Sequence, residues 1–128
     1  MSNPEIALRQ FGETSGFEGL VFDERGAMLL QTESGRQMGV ERGAGSVMVH
    51  VSQPLGYDAG LWMLRAWKRS HHTRQEDWPV QAALREREGE QRLVALTRIA
   101  DSDFTAQRLQ QAFEHLSRWL DAVRDDTY

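Results

Sequence analysis

The segment Tyr57–Arg74, YDAGLWMLRAWKRSHHTR, constrains the fold more than any other stretch of the chain. It reads as a helix whose apolar residues do not keep to one side. Leu61 and Leu64 mark one face, Trp62 and Ala66 a second, Met63 and Trp67 a third. A surface helix in a monomer shows a single apolar stripe, whereas one that is apolar nearly all round is covered nearly all round. A chain of 128 residues makes one domain, spanning 1–128, and buries about two-thirds of the surface its unfolded form exposes. Its own sheet can cover one side of this helix. The simplest cover for the other side is the same helix from a second copy across a two-fold axis. The segment therefore reads as core on one face and dimer seam on the other. The alternative is that both tryptophans fill a large monomeric core.

Either side of that helix the sequence pattern alternates between helix and strand. Asn3-Pro4-Glu5 is a helix start: a cap, a proline where its missing N–H costs nothing, and an acid at the positive end of the dipole. Ile6, Leu8 and Phe11 give this helix its apolar side, and Gly12 and Gly16 are candidate stops. Short strands follow over Leu20–Phe22, Ala27–Thr32, Gln37–Arg42 and Val47–Ser52. They are separated by turns at Asp23–Gly26, Glu33–Arg36 and Gly43–Ser46, and Pro54 and Gly56 close the run. Val47, Val49 and Val51 alternate with Met48, His50 and Ser52. Beyond the central helix come the connector Gln75–Pro79, a hairpin of Val80–Arg87 and Gln91–Ile99, and a last helix capped by Asp101, Ser102 or Asp103. Leu109, Ala112, Phe113, Leu116, Trp119, Leu120 and Val123 form one stripe on that helix, as expected for an amphipathic helix laid on a sheet. From Asp125 the chain reads as a polar tail. The fold class is α+β with a twisted antiparallel sheet and three helices, in the order α-β-β-β(-β)-α-β-β-α.

Reactive chemistry is scarce. The net charge of -4 argues against a nucleic-acid partner, which would call for a basic face. With no cysteine, no disulfide, thiolate metal site or thiol nucleophile is possible. No apolar run reaches the roughly 20 residues of a membrane span, and MSNPEIALRQ lacks the pattern of a secretory signal. No phosphate-cradling glycine motif, metalloprotease helix or nucleophile elbow occurs. His71 and His72 are adjacent, so on a helix they point about 100° apart and cannot share one metal. At a helix C-terminus they have an ordinary place beside the last carbonyls. His50 and His115 fall on polar faces and read as surface residues. The alternation of Arg85, Glu86, Arg87, Glu88, Glu90 and Arg92 reads as a soluble hairpin with cross-strand ion pairs. No catalytic residue, metal ligand or cofactor is expected, and no enzyme reading has residues to stand on.

What remains is apolar surface. Ile6, Leu8, Phe11, Phe17, Leu20, Phe22, Met28, Leu30, Met38 and Met48 crowd the first helix and first strands. Methionine is flexible and polarizable, which suits a surface that accepts differing partner side chains. Core packing accounts for part of the set, since a sheet always buries one face.

The order of these elements, with Phe11-Gly12 and Gly19-Leu20, the hairpin Leu20–Gly26 followed by Leu29 or Leu30, Pro54-Leu55-Gly56, and the closing Leu109…Phe113…Leu116…Trp119-Leu120, resembles the class I chaperones of bacterial type III secretion, the Tir-chaperone-like family. The likeness covers nearly the whole chain. It departs where the family often carries Ala-Asn near the end of the central helix; here Ala66 precedes Trp67. The resemblance implies a cytoplasmic homodimer in a Gram-negative bacterium, with a seam of Leu61, Trp62, Arg65, Ala66, Arg69, Val80, Ala82 and Leu84. It implies a partner as well, the N-terminal segment of a secreted effector held extended and masked. Its binding set would be Ile6, Leu8, Phe11, Phe17, Leu20, Phe22, Met28, Leu30 and Met38. Delivery to the secretion apparatus, with the secretion ATPase as a further contact, and a part in virulence follow from the same likeness. A same-fold protein that binds or regulates without escorting an effector is the alternative.

Overall fold

The computed structural model describes residues 3–56, 58–72 and 78–125, with the side chains of residues 71 and 72 excepted. The expectations for Tyr57, the His71-His72 side chains, residues 73–77 and the tail past Asp125 lie outside the described residues. The elements are α1 (Pro4–Ser15), β1 (Ala27–Gln31), β2 (Gln37–Arg42), β3 (Ser46–Leu55), α2 (Ala59–His72), β4 (Gln81–Arg87), β5 (Glu90–Ala100), a 3-10 turn (Asp101–Asp103) and α3 (Ala106–Asp125). The five strands form one antiparallel sheet in the order β1-β2-β3-β5-β4. The class is α+β.

Local chemistry sets the ends of α1. Asn3 Oδ1 accepts from the Glu5 and Ile6 amides at 2.9 and 3.4 Å, and Gly16 stops the helix at φ 85°. Gly12 has a different job. A Cβ there would sit 2.4 Å from the Phe17 carbonyl and 3.0 Å from Leu20 Cγ. Glycine lets the following loop fold back onto the helix. That loop explains why Leu20–Phe22 is not a strand. Leu20 packs on Gly12, the Arg42 guanidinium lies 5.6 Å from the Phe22 ring, and the Asp23 amide donates to the Ala27 carbonyl. Asp23 Oδ1 also accepts from the Arg25 and Ala27 amides, which holds its carboxyl below the usual aspartate range. The chain is thus tied to α1 and β2 by side chains instead of by a ladder.

β3 is longer than its alternation implied and runs through Pro54, which pairs with Arg92. Pro54 lies beyond the last β2 pairing, Gln37 with Ser52, where one side of the strand needs no ladder bond. The β4–β5 hairpin turns on Glu88 and Gly89, both at positive φ, as a two-residue turn requires. α3 is capped by Thr105, not by the acids before it: Thr105 Oγ1 accepts from the Arg108 amide at 3.1 Å, while Asp101–Asp103 form the preceding turn and place Phe104 in the core.

Register assembles the core. Met28, Val40 and Val49 lie in one row across the sheet, and Leu30, Met38, Val51, Ala95 and Ala82 in the next. The helices cover this face. Leu8 and Phe11 of α1, Ala66 of α2 and the stripe Leu109, Ala112, Phe113, Leu116, Trp119, Leu120 and Val123 of α3 join one buried cluster with it. The intervening residues, among them Leu29, Gly39, His50 and Leu96, point to the opposite face.

Candidate protein-binding surfaces

The sheet has two edges, β1 and β4, and exposed apolar side chains gather beside each. At the β4 edge, α2 turns one face inward. Ala66 is buried, and Trp62 and Met63 pack half-buried against the core. Arg65 and Arg69 are half-buried too, and Arg65 Nη1 donates to the Arg124 carbonyl at 3.1 Å. The outer face carries Leu61, Leu64 and Trp67, spaced three apart, and Trp67 is 68% exposed. On the neighbouring strand segment, Val80 is buried, Ala82 is half-buried, and Leu84 is exposed. Of the seam read from sequence, Leu61 and Leu84 are therefore open, Trp62, Arg65, Arg69 and Ala82 lie at its margin, and Ala66 and Val80 belong to the monomer core. The exposed apolar set on α2 also includes Leu64 and Trp67; Leu64 lies opposite Ala66 on the helical wheel and Trp67 about 100° round from it.

At the β1 edge the same sorting applies. Leu8, Phe11 and Met28 are sealed in the core and offer a partner no surface. Phe11 stacks against Phe113 of α3 at 5.5 Å, which spends its ring on the helix pair. Leu20, Phe22, Leu30 and Met38 are half-buried at the fringe of the cluster, while Ile6 and Phe17 are exposed. The exposed set also includes Val21 and Leu29. Leu29 is legible afterwards as the odd neighbour of Met28 and Leu30, which alternation sends to the helix-free face.

His50 is not the surface residue its strand position suggested. It is 4% exposed on the helix-free face, with its ring laid across Gly39, where a Cβ would come within 2.4 Å of Cε1. Burial lowers its affinity for a proton, Glu41 works against that, and Arg85 adds to it. His115 is likewise half-buried, with Nε2 3.2 Å from the Trp78 carbonyl and its ring edge-on to Trp78 at 5.9 Å. Arg108 lies over the other aromatic contact of this group, 4.4 Å from the Trp78 ring. These contacts are structural: they seat the start of β4 on α3.

Chemical sites are thin among the described residues. No group of three or more His, Asp or Glu side chains is placed to hold a metal. The recess bounded by Pro79, Gln81, Leu96, Thr97 and Arg98 has one titratable group, far short of the convergent set that acid–base or nucleophilic work needs. No described helix is long and apolar enough to cross a membrane. The arrangement can bury partner side chains and extend a sheet edge.

No family model matches the sequence, and no curated protein matches it. Solved structures do. The HopA1–SchA chaperone–effector complex contains a chain with a TM-score of 0.69 and 14% identity, over 94% of this chain and 91% of that one. The Yersinia pestis type III secretion chaperone SycH, in complex with a stable fragment of YscM2, gives 0.70 and 10%, over 94% and 99%. YbjN, a putative transcription regulator from E. coli, gives 0.62 and 19%, over 93% and 90%. The fold of this chain is the one seen in the HopA1–SchA and SycH structures, and YbjN shares it.

Proposed function

We propose that this protein is a homodimeric secretion chaperone. It would bind the N-terminal segment of a type III effector, keep it extended and masked, and help deliver it to the secretion apparatus, working in the cytoplasm without catalysis. The observation that carries the reading is the pair of apolar surfaces at opposite edges of one sheet, in a fold seen with its partners in a chaperone–effector complex. The seam is assigned to the outer face of α2, through Leu61, Leu64 and Trp67, with Leu84 of β4. The client surface is assigned to the β1 side, where Leu20, Phe22, Leu30 and Met38 form the fringe and Ile6 and Phe17 the rim. An extended client orders itself on binding, so it needs a long wrapped interface to reach useful affinity. Two copies supply two such surfaces.

The likeness to YbjN supports a second reading, a same-fold regulator that binds protein without escorting an effector. Co-expression with the secreted protein encoded nearest the gene separates the two. The chaperone reading expects its N-terminal fragment to co-purify in extended, protease-protected form. A chain that stays dimeric yet binds no secreted substrate leaves the regulator.

A further inference from the structure

Two arginines that neither surface uses hold the end of the β1–β2 hairpin from opposite faces of the sheet. Arg36, the last turn residue before β2, has a side chain only 13% exposed. Its Nε donates to Gln53 Oε1 at 2.6 Å, Nη1 to the Ser117 carbonyl at 3.3 Å, and Nη2 to Asp121 Oδ1 at 2.6 Å. Arg92 of β5 has a side chain 10% exposed. Its Nε donates to Ser52 Oγ at 2.9 Å, and Nη1 to Glu90 Oε1 at 2.6 Å. Its Nη2 donates to the Gly35 carbonyl at 2.7 Å and the Ser52 carbonyl at 3.3 Å. The anchors in β3, Ser52 and Gln53, are consecutive and therefore face opposite ways. So are the turn residues they secure, Gly35 and Arg36.

Position makes these contacts informative. The last β2–β3 pair is Gln37 with Ser52, so no ladder bond to β3 reaches the turn beyond it. β1 itself has β2 as its single neighbour in the sheet. Without side-chain ties the hairpin could swing about β2. A guanidinium presents its donors in a fixed plane, which fixes direction as well as distance. The carboxylate partners, Asp121 and Glu90, are 45% and 56% exposed, so solvent screens these pairs and they are weak evidence for stability. Geometry is the better account of them.

We propose that Arg36 and Arg92 are positioning residues, a two-sided clamp that holds the free edge of β1 in one preset orientation to receive an extended polypeptide. This rests on reading the β1 side as the docking surface. An edge already held still loses less freedom when a strand adds to it.

Amide hydrogen exchange on the full chain tests the clamp without any client. In Arg36→Ala, the amides directed at β2, those of Met28, Leu30 and Thr32, should exchange about tenfold faster or more, while the β4–β5 hairpin keeps its protection. Arg36→Lys retains charge but not the three-way fork and should behave the same way. Gln53→Ala, which spares the Asp121 pair, should give a smaller rise confined to β1 and serves if the arginine variants fail to fold. Unchanged β1 exchange, or a uniform rise across all five strands, overturns the proposal. In a second arm, the N-terminal fragment of the neighbouring secreted protein should bind Arg36→Ala about tenfold more weakly; wild-type affinity overturns the positioning role. A wild-type protein that binds no such fragment sinks the docking reading, and the exchange arm still judges the clamp by itself.

Discussion

Replacing Trp67 with alanine should dissociate the proposed dimer and leave the protomer folded. Trp67 is 68% exposed on one copy, and a large aromatic side chain covers roughly 200 Å² when buried, so about 130 Å² of it is available to a partner. At about 25 cal/mol per Å² that surface contributes about 3 kcal/mol per copy. Two-fold symmetry brings it in twice, for about 6 kcal/mol at most. The methyl group that remains and some relaxation around it reduce the loss to about 4 kcal/mol, or a Kd roughly a thousandfold higher. The third of the side chain that is already covered within the protomer, about 65 Å², makes the cost to folding about 1.5 kcal/mol, a lower Tm with the protomer still folded. Sedimentation over a dilution series, with a melt of the same samples, reads both quantities. A variant that dimerises as tightly as wild type refutes the seam, as does a wild-type protein monomeric throughout. A variant that unfolds would place Trp67 inside the protomer. Trp62 is the wrong probe, because it packs half-buried against the core and its loss tests the fold.

Gly12→Ala should cost about 1–3 kcal/mol by overpacking, because the new methyl lands 2.4 Å from the Phe17 carbonyl; thermal melting and faster exchange in residues 17–22 would register it. Gly39→Ala drives a Cβ into the His50 ring and to 2.9 Å from the Met28 carbonyl, so it should lower Tm by several degrees, and His50→Ala added to it should restore part of the loss. Burial holds the folded His50 below its ordinary value of 6.5; between the two values the unfolded chain binds more protons, so stability should be full above 6.5 and fall as pH drops below it, a slope that urea midpoints should show in wild type and lose in His50→Gln. Leu29→Lys puts a charge on the β1 edge at a residue 55% exposed, and it should weaken fragment binding by about tenfold with Tm unchanged.

Periodicity carried most of the fold. The stripe of α3 was legible residue by residue because a helix packed on a sheet along its whole length has a wide, unbroken apolar face. β2 was legible to its ends because glycine and polar turns bound it on both sides. The failures are local and share a cause, which is that tertiary contacts outbid local preference. Leu20–Phe22 has strand-like side chains, but Gly12 and Arg42 claim two of them. His50 alternates as a polar residue should, yet Gly39, its direct partner on the neighbouring strand, makes room for it to lie down. Burial sorts the apolar residues that the sequence alone could not. A hydrophobic residue reads the same in sequence whether it faces its own core, as Leu8 and Phe11 do, or the outside, as Ile6 and Phe17 do.

The two edges differ in a way that bears on which one receives a client. Sheet edges template further strands, and soluble proteins blunt them with charge, proline or brevity. β4 follows the rule over its second half, where Arg85, Glu86 and Arg87 stand exposed, and its first half lies next to α2, within reach of the proposed seam. β1 reads Ala-Met-Leu-Leu-Gln, without a charge or a proline; its own Leu29 stands in solvent, as does Val21 of the loop before it. Asp23 occupies the outward amide and carbonyl of Ala27 at its start, and the rest of the edge is protected by brevity, five residues in all. Meanwhile two buried guanidiniums hold this bare edge steady. A monomer with nothing to bind gains by blunting such an edge with a single lysine and has no use for holding it rigid. Bareness and rigidity together make sense on an edge that is meant to be paired, which is why the client is placed at β1 and the second copy at α2.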